Sequence, residues 1–418
     1  MRGTMTPPEI RHSVWLRSGR VGTLVQRGDY TRFVFSHEYL NDPDRPVLGL
    51  IFEQDLSARH AAALRLPRWF SNLLPEGRLR EWIAAERKVS PQREMELLAQ
   101  VGHDLPGAVR VLPALEGESD EIEWSPRPAP MSAAQHTREQ ETWRFSLAGV
   151  ALKFSMLAKG DRLTLPAFGV GGDWIVKLPD QTYPDVPRNE FTMMSLAASA
   201  GIEVPPVRLV HRDELDGLPP DVWTSREEWA YAIRRFDRDV NRDLVHIEDL
   251  AQVRDVYPEA KYLGNYETVA ALAYRGHDLA GLREFTRRLA FTVLIANGDA
   301  HLKNWSLIYT DPRVPGLAPA YDMVSTAYYL GERETLGLKF GGTRRLDKVD
   351  VATFERLQGR LRAPQAELAA CVAELVEQVR MHWPEHRDQL TANAELVASV
   401  ESRIAAGSRS LLRQPRDP

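Results

Sequence analysis

The hydrophobic pattern of this chain turns from largely strand-like to helical near residue 247, and that change limits the fold more than any other feature. Before it, short apolar runs alternate with turn signals. After it, apolar residues recur at three- and four-residue spacing through segments 248–253, 266–275, 279–297, 351–360, 363–383 and 394–412. A strand-rich half followed by a helix-rich half predicts an α+β protein. A length of 418 residues exceeds one ordinary core, so two or three domains are expected.

In the first half, residues 14–16, 21–25, 33–35 and 47–52 read as strands of a small antiparallel sheet, parted by Ser18-Gly19, Gly28-Asp29 and Asn41-Asp42-Pro43. Helices are expected around 77–100, a turn at 102–109 and a closing strand at 109–112. No acid, base or metal cluster recurs there, so residues 1–115 are expected to form a β-rich accessory domain. Residues 116–140 turn acidic, then rich in Pro and Ala, which is linker composition.

Residues 141–238 read as a second strand-rich domain and 239–418 as a helical one. Gly149 lies in a small-residue turn whose backbone N–H groups can approach phosphate, and Lys153 four residues on adds charge; an ordinary hairpin fits the same residues. Lys177 sits inside the apolar strand 174–178, where it either reaches solvent or meets a phosphate. Glu190, on the helix that opens at Asn189-Glu190, is its natural partner. Two more strands are expected at 202–210 and 229–236.

The chemistry concentrates after the apolar run 289–295, in Asn297-Gly298-Asp299-Ala300-His301-Leu302-Lys303-Asn304, with Tyr321-Asp322 beyond it. Phosphoryl transfer needs positioned phosphates, cations against developing charge, and a carboxylate to receive a hydroxyl proton. Asp299, at the exit from the helix, is assigned as that base or as the group that orients the hydroxyl. Asn304 and Asp322 offer hard oxygens to Mg²⁺. His301 and Lys303 stand behind them, and His301 alone reads more readily as a buried, hydrogen-bonded structural residue than as a group in direct chemistry. Isolated, these residues would read as turn formers; with Lys177 on an upstream strand they read as a catalytic set. A zinc site lacks a second nearby His or a Cys pair, and no G-x-S-x-G elbow supports a serine hydrolase.

Composition sets limits. A net charge of −5 argues against nucleic-acid binding by bulk charge. The single cysteine, Cys371, lies in an apolar helical pattern and reads as a core thiol in a reducing cytoplasm. No apolar run reaches membrane-spanning length, and no signal-peptide pattern opens the chain, so no membrane is expected.

From residue 14 to the C-terminal helices, the chain resembles the HipA family of bacterial serine/threonine kinase toxins. The residues that carry the resemblance are Phe70-Ser71-Asn72-Leu73-Leu74-Pro75-Glu76-Gly77, Ser146-Leu147-Ala148-Gly149, Ile175-Val176-Lys177-Leu178-Pro179, Asn189-Glu190, Arg235-Phe236-Asp237-Arg238, the stretch from Asn297 to Asn304, and Tyr321-Asp322. The resemblance implies a bilobal, phosphoinositide-kinase-like fold with an added N-terminal β domain. It implies that Lys177 holds the ATP phosphates, Asp299 is catalytic, Asn304 and Asp322 hold Mg²⁺, and residues around Ile233 and Phe236 line the adenine hinge. Ser146 would be an inactivating autophosphorylation site on the phosphate loop with Gly149 and Lys153. The implied partner is a helix-turn-helix, HipB-like antitoxin dimer, through which operator DNA is reached indirectly; the implied targets include aminoacyl-tRNA synthetases. Ala151 stands where the family pattern has Gln. Two rival functions stay open on sequence: a small-molecule kinase of the aminoglycoside-phosphotransferase type, and an inactive corepressor.

Overall fold

Three of the four N-terminal apolar runs form strands where their patterns place them: β1 (Glu9–Leu16), β2 (Gly19–Arg27) and β3 (Tyr30–Phe35). With β4 (His60–Ala63) and β5 (Val109–Pro113) they make an antiparallel sheet in the order β4-β3-β2-β1-β5. The computed structural model describes residues 8–115, 118, 120, 152–167, 170–331 and 334–413.

The fourth run departs from expectation. After α1 (His37–Asn41), residues 47–52 form no strand but lead through Gly49 into the short helix α2 (Leu50–Glu53). A side chain at Gly49 would strike the Trp69 indole. The Leu50 N–H donates to Glu248 at 3.1 Å rather than to a neighbouring strand. Short apolar runs carry no decisive period, and here side-chain partners settle the conformation. Helices α3 (Arg68–Ser71), α4 (Gly77–Arg87) and α5 (Glu94–Val101) follow. Phe33, Phe35, Phe52, Trp69 and Phe70 are buried together with ring centroids 4.8–6.3 Å apart. The conspicuous Ser71 and Asn72 act structurally: Ser71 Oγ donates to the buried Glu94 at 3.0 Å, and Asn72 Nδ2 donates to the carbonyls of Arg68 and Val256.

Packing gathers the described residues into two compact units. One draws on the described residues within Met1–Gly149, Asp237–Pro258 and Tyr309–Pro315, the other on those within Val150–Phe236, Glu259–Ile308 and Gly316–Pro418. Residues 237–258, placed by sequence across the start of the helical half, thus pack with the N-terminal sheet.

The second unit begins with β6 (Lys153–Lys159), β7 (Arg162–Thr164), β8 (Trp174–Lys177), helix α6 (Val186–Ser199), β9 (Val207–His211), β10 (Leu215–Asp216) and β11 (Trp229–Arg234). Its strands order as β10-β7-β6-β8-β11-β9, with β8 central and antiparallel to both β6 and β11. Strand β12 (His246–Asp249) and helix α7 (Leu250–Val253) belong to the first unit. Asp249 caps α7 in a reciprocal box with Gln252, which explains why the helix starts later than its period suggests.

In the second unit, Asn265 caps α8 (Tyr266–Tyr274) and Asp278 caps α9 (Leu279–Leu294). Helix α9 is buried through Leu282, Phe285, Leu289, Phe291 and Leu294, because later helices enclose it. Strands β13 (Ser306–Tyr309) and β14 (Gly316–Leu317) come next, then α10 (Ala327–Leu330), α11 (Val351–Leu361), α12 (Leu368–His386) and α13 (Ala394–Leu411). Helices α8, α12 and α13 pack on α9. Cys371 is buried on α12, as its apolar setting predicts. No helix among the described residues is long and apolar enough to cross a membrane.

Candidate active site

Strand β8 ends at Lys177, and the first turns of α6 present Glu190 to it. Lys177 Nζ lies 2.5 Å from Glu190 Oε1 and also pairs with Asp322 Oδ1. Tyr231, opposite Lys177 on β11, sets its ring 5.6 Å from Nζ. Lys153 is the cross-strand partner of Lys177 on β6, and its charge acts on both Asp322 and Glu190.

These neighbours decide the charge states. Burial works against the Lys177 cation, but the two carboxylates overcome it and hold its pKa above the ordinary lysine value. Burial likewise works against the Asp322 anion, and Lys177 with Lys153 outweighs it, so Asp322 is held well below the usual carboxylate range. Glu190 is fully enclosed; burial, opposed by Lys177 and reinforced by Asp322, pushes it up to about 7.

The loop after α9 is shaped by backbone and amide contacts. Ala296 takes a left-handed φ of 51°, which turns the chain out of the helix. Asn297 Oδ1 accepts the Asp299 N–H at 3.1 Å, and its Nδ2 donates to the Asp322 carbonyl at 3.2 Å. One amide therefore fixes the backbones of both acidic residues. The Gly298 N–H donates to Thr326 Oγ at 2.8 Å, and a β-carbon at this position would collide with the Glu334 carboxyl group. Asp299 Oδ1 accepts the Tyr262 hydroxyl. The His301 N–H donates to Asn304 Oδ1 at 3.1 Å, and Asn304 Nδ2 donates to Asp322 Oδ2 at 2.8 Å. Asp322 itself holds φ at 58°, a left-handed conformation that aspartate tolerates better than most residues.

Lys177, Asp299, Asn304, Asp322 and His301 are thus linked within one unit, with Lys153 beside them. The ring of Phe236 lies 5.6 Å from that of Tyr321, next to Asp322. Ile233 is buried in the sheet opposite Ile175 and Val207. Ser146, Gly149 and Ala151 lie outside the described residues. Sequence reasoning gave no role to Tyr231, Tyr262, Asn297, Thr326 or Glu334. Asn297 lay in plain view inside the polar stretch; the others carry no spacing signal that ties them to it.

The donor set fits a hard cation. Asp322 offers a carboxylate, and Asn304 Oδ1 accepts one backbone hydrogen bond and keeps a second lone pair. Among the described residues no group of three or more His, Cys, Asp and Glu is placed to hold a metal ion. A magnesium ion here would therefore rest on two side chains, water and substrate phosphates, which is its usual manner of binding.

Comparison with known proteins defines the class. The sequence matches the HipA-like C-terminal domain over residues 145–383 and the HipA N-terminal domain over residues 12–112. Y4dM of Sinorhizobium fredii, provisionally named a kinase, is 40% identical over 391 residues, covering 91% of this chain and 93% of that protein. The serine/threonine-protein kinase toxin HipA of Shewanella oneidensis is 26% identical over 298 residues, 62% of each chain. A chain of the solved complex of the Shewanella oneidensis MR-1 toxin–antitoxin system HipA, HipB and operator DNA superposes with a TM-score of 0.71 at 19% identity, covering 96% of this chain and 97% of that one. The fold is thus α+β and kinase-like. The chain belongs to the HipA family.

Proposed function

We propose that this protein is an ATP- and Mg²⁺-dependent serine/threonine protein kinase acting as the toxin of a toxin–antitoxin pair. The observation that carries the reading is the cation of Lys177 held between Glu190 and Asp322, with Asn304 joining Asp322 to the Asp299 loop. A lysine fixed by a helix glutamate, a catalytic aspartate and an amide–carboxylate pair for magnesium are the recurring parts of kinase sites. The names of the relatives point the same way.

In this reading the strand-rich lobe falls within residues 141–238, the helical lobe within 239–418 and an accessory domain within 1–115, with residues 237–258 and 309–315 packing in the unit of the accessory domain. Lys177 and Lys153 bind the ATP phosphates, and Ile233 and Phe236 border the adenine. Magnesium, when bound by Asn304 and Asp322, neutralises charge that builds on the phosphates. Asp299 receives the acceptor hydroxyl's proton as that oxygen bonds to the γ-phosphorus and ADP leaves. His301 supports Asn304 through its backbone N–H. A helix-turn-helix, HipB-like antitoxin dimer is the partner that fits a chain of this fold, since a neighbour of the same fold was solved with HipB and operator DNA. An aminoacyl-tRNA synthetase is the proposed target class. Ser146 is the proposed site of inactivating autophosphorylation, where a phosphate adds about −1.5 to −2 charges near pH 7.

Mass spectrometry after incubation of dephosphorylated protein with ATP and Mg²⁺ tests this. Phosphate on Ser146 is expected in the wild type and absent in Asp299→Ala. Growth arrest on expression should vanish with the same variant; equal arrest by both would sink the catalytic reading and favour a corepressor.

A further inference from the structure

We propose that Tyr262 is a positioning residue for Asp299, fixing the carboxylate that receives the acceptor proton; this rests on the kinase reading above. The Tyr262 hydroxyl donates to Asp299 Oδ1, although 37 positions separate the two residues. Nothing about the tyrosine's placement is casual. Its carbonyl accepts from the Arg344 guanidinium at 2.6 Å, and the same guanidinium reaches the carbonyls of Leu336 and Gly337. The preceding residue, Lys261, gives its carbonyl to the Leu302 N–H at 3.1 Å. The ring stands edge-on to His301 with centroids 5.0 Å apart.

Residues 261–262 therefore grip the catalytic loop at three points: Leu302 by the backbone, His301 by the ring and Asp299 by the hydroxyl. Gly337 also lies so close to Ala300 that a β-carbon there would come within 2.5 Å of the Ala300 carbonyl oxygen. Tyr266, the first residue of α8, donates to that same oxygen at 2.8 Å. A tyrosine anchored this firmly does not act as a swinging blocker of the site. It acts as a fixed strut.

The physical consequence is orientation. A free carboxylate turns about its terminal torsion at little cost, because that torsion is broad. A hydrogen bond from a rigid phenol to one oxygen fixes the plane, and so the direction of the group that must meet the acceptor hydroxyl. Misplacement of a reacting group by about 1 Å can cost roughly 10²-fold in rate. Tyr262 meets neither phosphate nor metal ligand in this role, so its loss should lower turnover and spare nucleotide binding.

The test is Tyr262→Phe in the full-length chain, which removes the hydroxyl and keeps the ring against His301. Rates of autophosphorylation would be measured across ATP concentration, beside the melting temperature. A fall in kcat of about tenfold or more, with KM for ATP and melting temperature unchanged, is expected. Wild-type kcat in Tyr262→Phe overturns the proposal and leaves the kinase reading intact. So does a parallel loss of kcat, ATP affinity and melting temperature, which would mark a merely structural residue. No phosphoryl transfer by the wild type would remove the kinase reading and this proposal together.

Discussion

Lys177 and Glu190 meet with Nζ 2.5 Å from Oε1, and both side chains are largely withdrawn from water. Removing the lysine would leave Glu190 and Asp322 facing one another with only the charge of Lys153 on β6 to oppose them. Breaking a buried pair from one side typically costs about 3–5 kcal/mol, because the remaining charge is stranded. Lys177→Met should therefore lower the melting temperature as well as abolish phosphoryl transfer. Adding Glu190→Gln should recover much of the thermal loss and none of the activity. A double variant that melts no higher than Lys177→Met would show that the stranded carboxylate is not what destabilises it.

Asn304 and Asp322 form the second relationship on which activity depends. The amide nitrogen faces Asp322 and the amide oxygen faces the His301 N–H, so Asn304 spaces the carboxylate from the loop. Asn304→Ala should weaken Mg²⁺ binding, read as a rise of tenfold or more (about 1.4 kcal/mol) in the Mg²⁺ concentration that half-saturates ATP turnover. Asp322→Asn should abolish Mg²⁺-dependent nucleotide binding while Lys177 remains. Calorimetric titration of ATP with and without EDTA separates the two. Equal ATP affinity with and without Mg²⁺ in the wild type would refute the assignment.

The parts of this site differ in how legible they are from sequence. Lys177 stands out because a lysine inside an apolar strand needs a partner, and Glu190 because a glutamate on the following helix is the partner such a lysine has in kinases. Asp299 and Asn304 stand out because polar residues crowd the end of an apolar run. Tyr262 does not stand out, since its meeting with Asp299 depends on where Asn265 starts α8 and on the Arg344 anchor. Glu334 is silent for the same reason: only the fold brings it against Gly298. Among the elements, residues 47–52 misled because a short apolar run fits strand and helix alike, while the partners that decide it, Trp69 and Glu248, are distant in sequence. Glu248 falls at the start of a helical period yet lies on β12, because Asp249 begins α7 one residue later.

Gly298 is where the catalytic loop tolerates no side chain. A β-carbon there would run into the Glu334 carboxyl and come within 2.5 Å of the Thr335 carbonyl oxygen. Gly298→Ala should move Asp299 and cost about 1–3 kcal/mol, as overpacking does. Turnover should fall further than stability, because Asp299 is the adjacent residue. Trimming the obstacle with Gly298→Ala/Glu334→Ala should recover part of the melting temperature, but not all, since the Thr335 carbonyl remains. Unchanged turnover in Gly298→Ala would show that the loop yields without moving its carboxylate.

Glu248 sets a pH dependence within the first unit. It takes hydrogen bonds from the Leu50 N–H, the Trp69 indole at 3.2 Å and the Tyr309 hydroxyl, and no cation is among these partners. Burial pushes it up to about 7, against the pull of those three donors. In the unfolded chain a glutamate titrates near 4.3. Between those values the unfolded state has lost the proton and the folded state still holds it. The contribution of Glu248 is therefore fully present below the unfolded pKa and lost as pH rises toward about 7, roughly 4 kcal/mol from this one group. His246 nearby, pushed down to about 4 by burial, is neutral in the folded chain while its unfolded form titrates near 6.5, so between those values it raises stability with pH and offsets part of the Glu248 loss. Denaturant unfolding at pH 5, 6, 7 and 8, compared between wild type and Glu248→Gln, reads the Glu248 contribution as the difference between the two slopes, since His246 acts on both alike. Glu248→Gln should begin less stable at pH 5, because its amide cannot accept from all three donors, yet lose less between pH 5 and pH 8. Parallel slopes for the two proteins would mean that Glu248 is ionised throughout and that its three donors alone hold the charge.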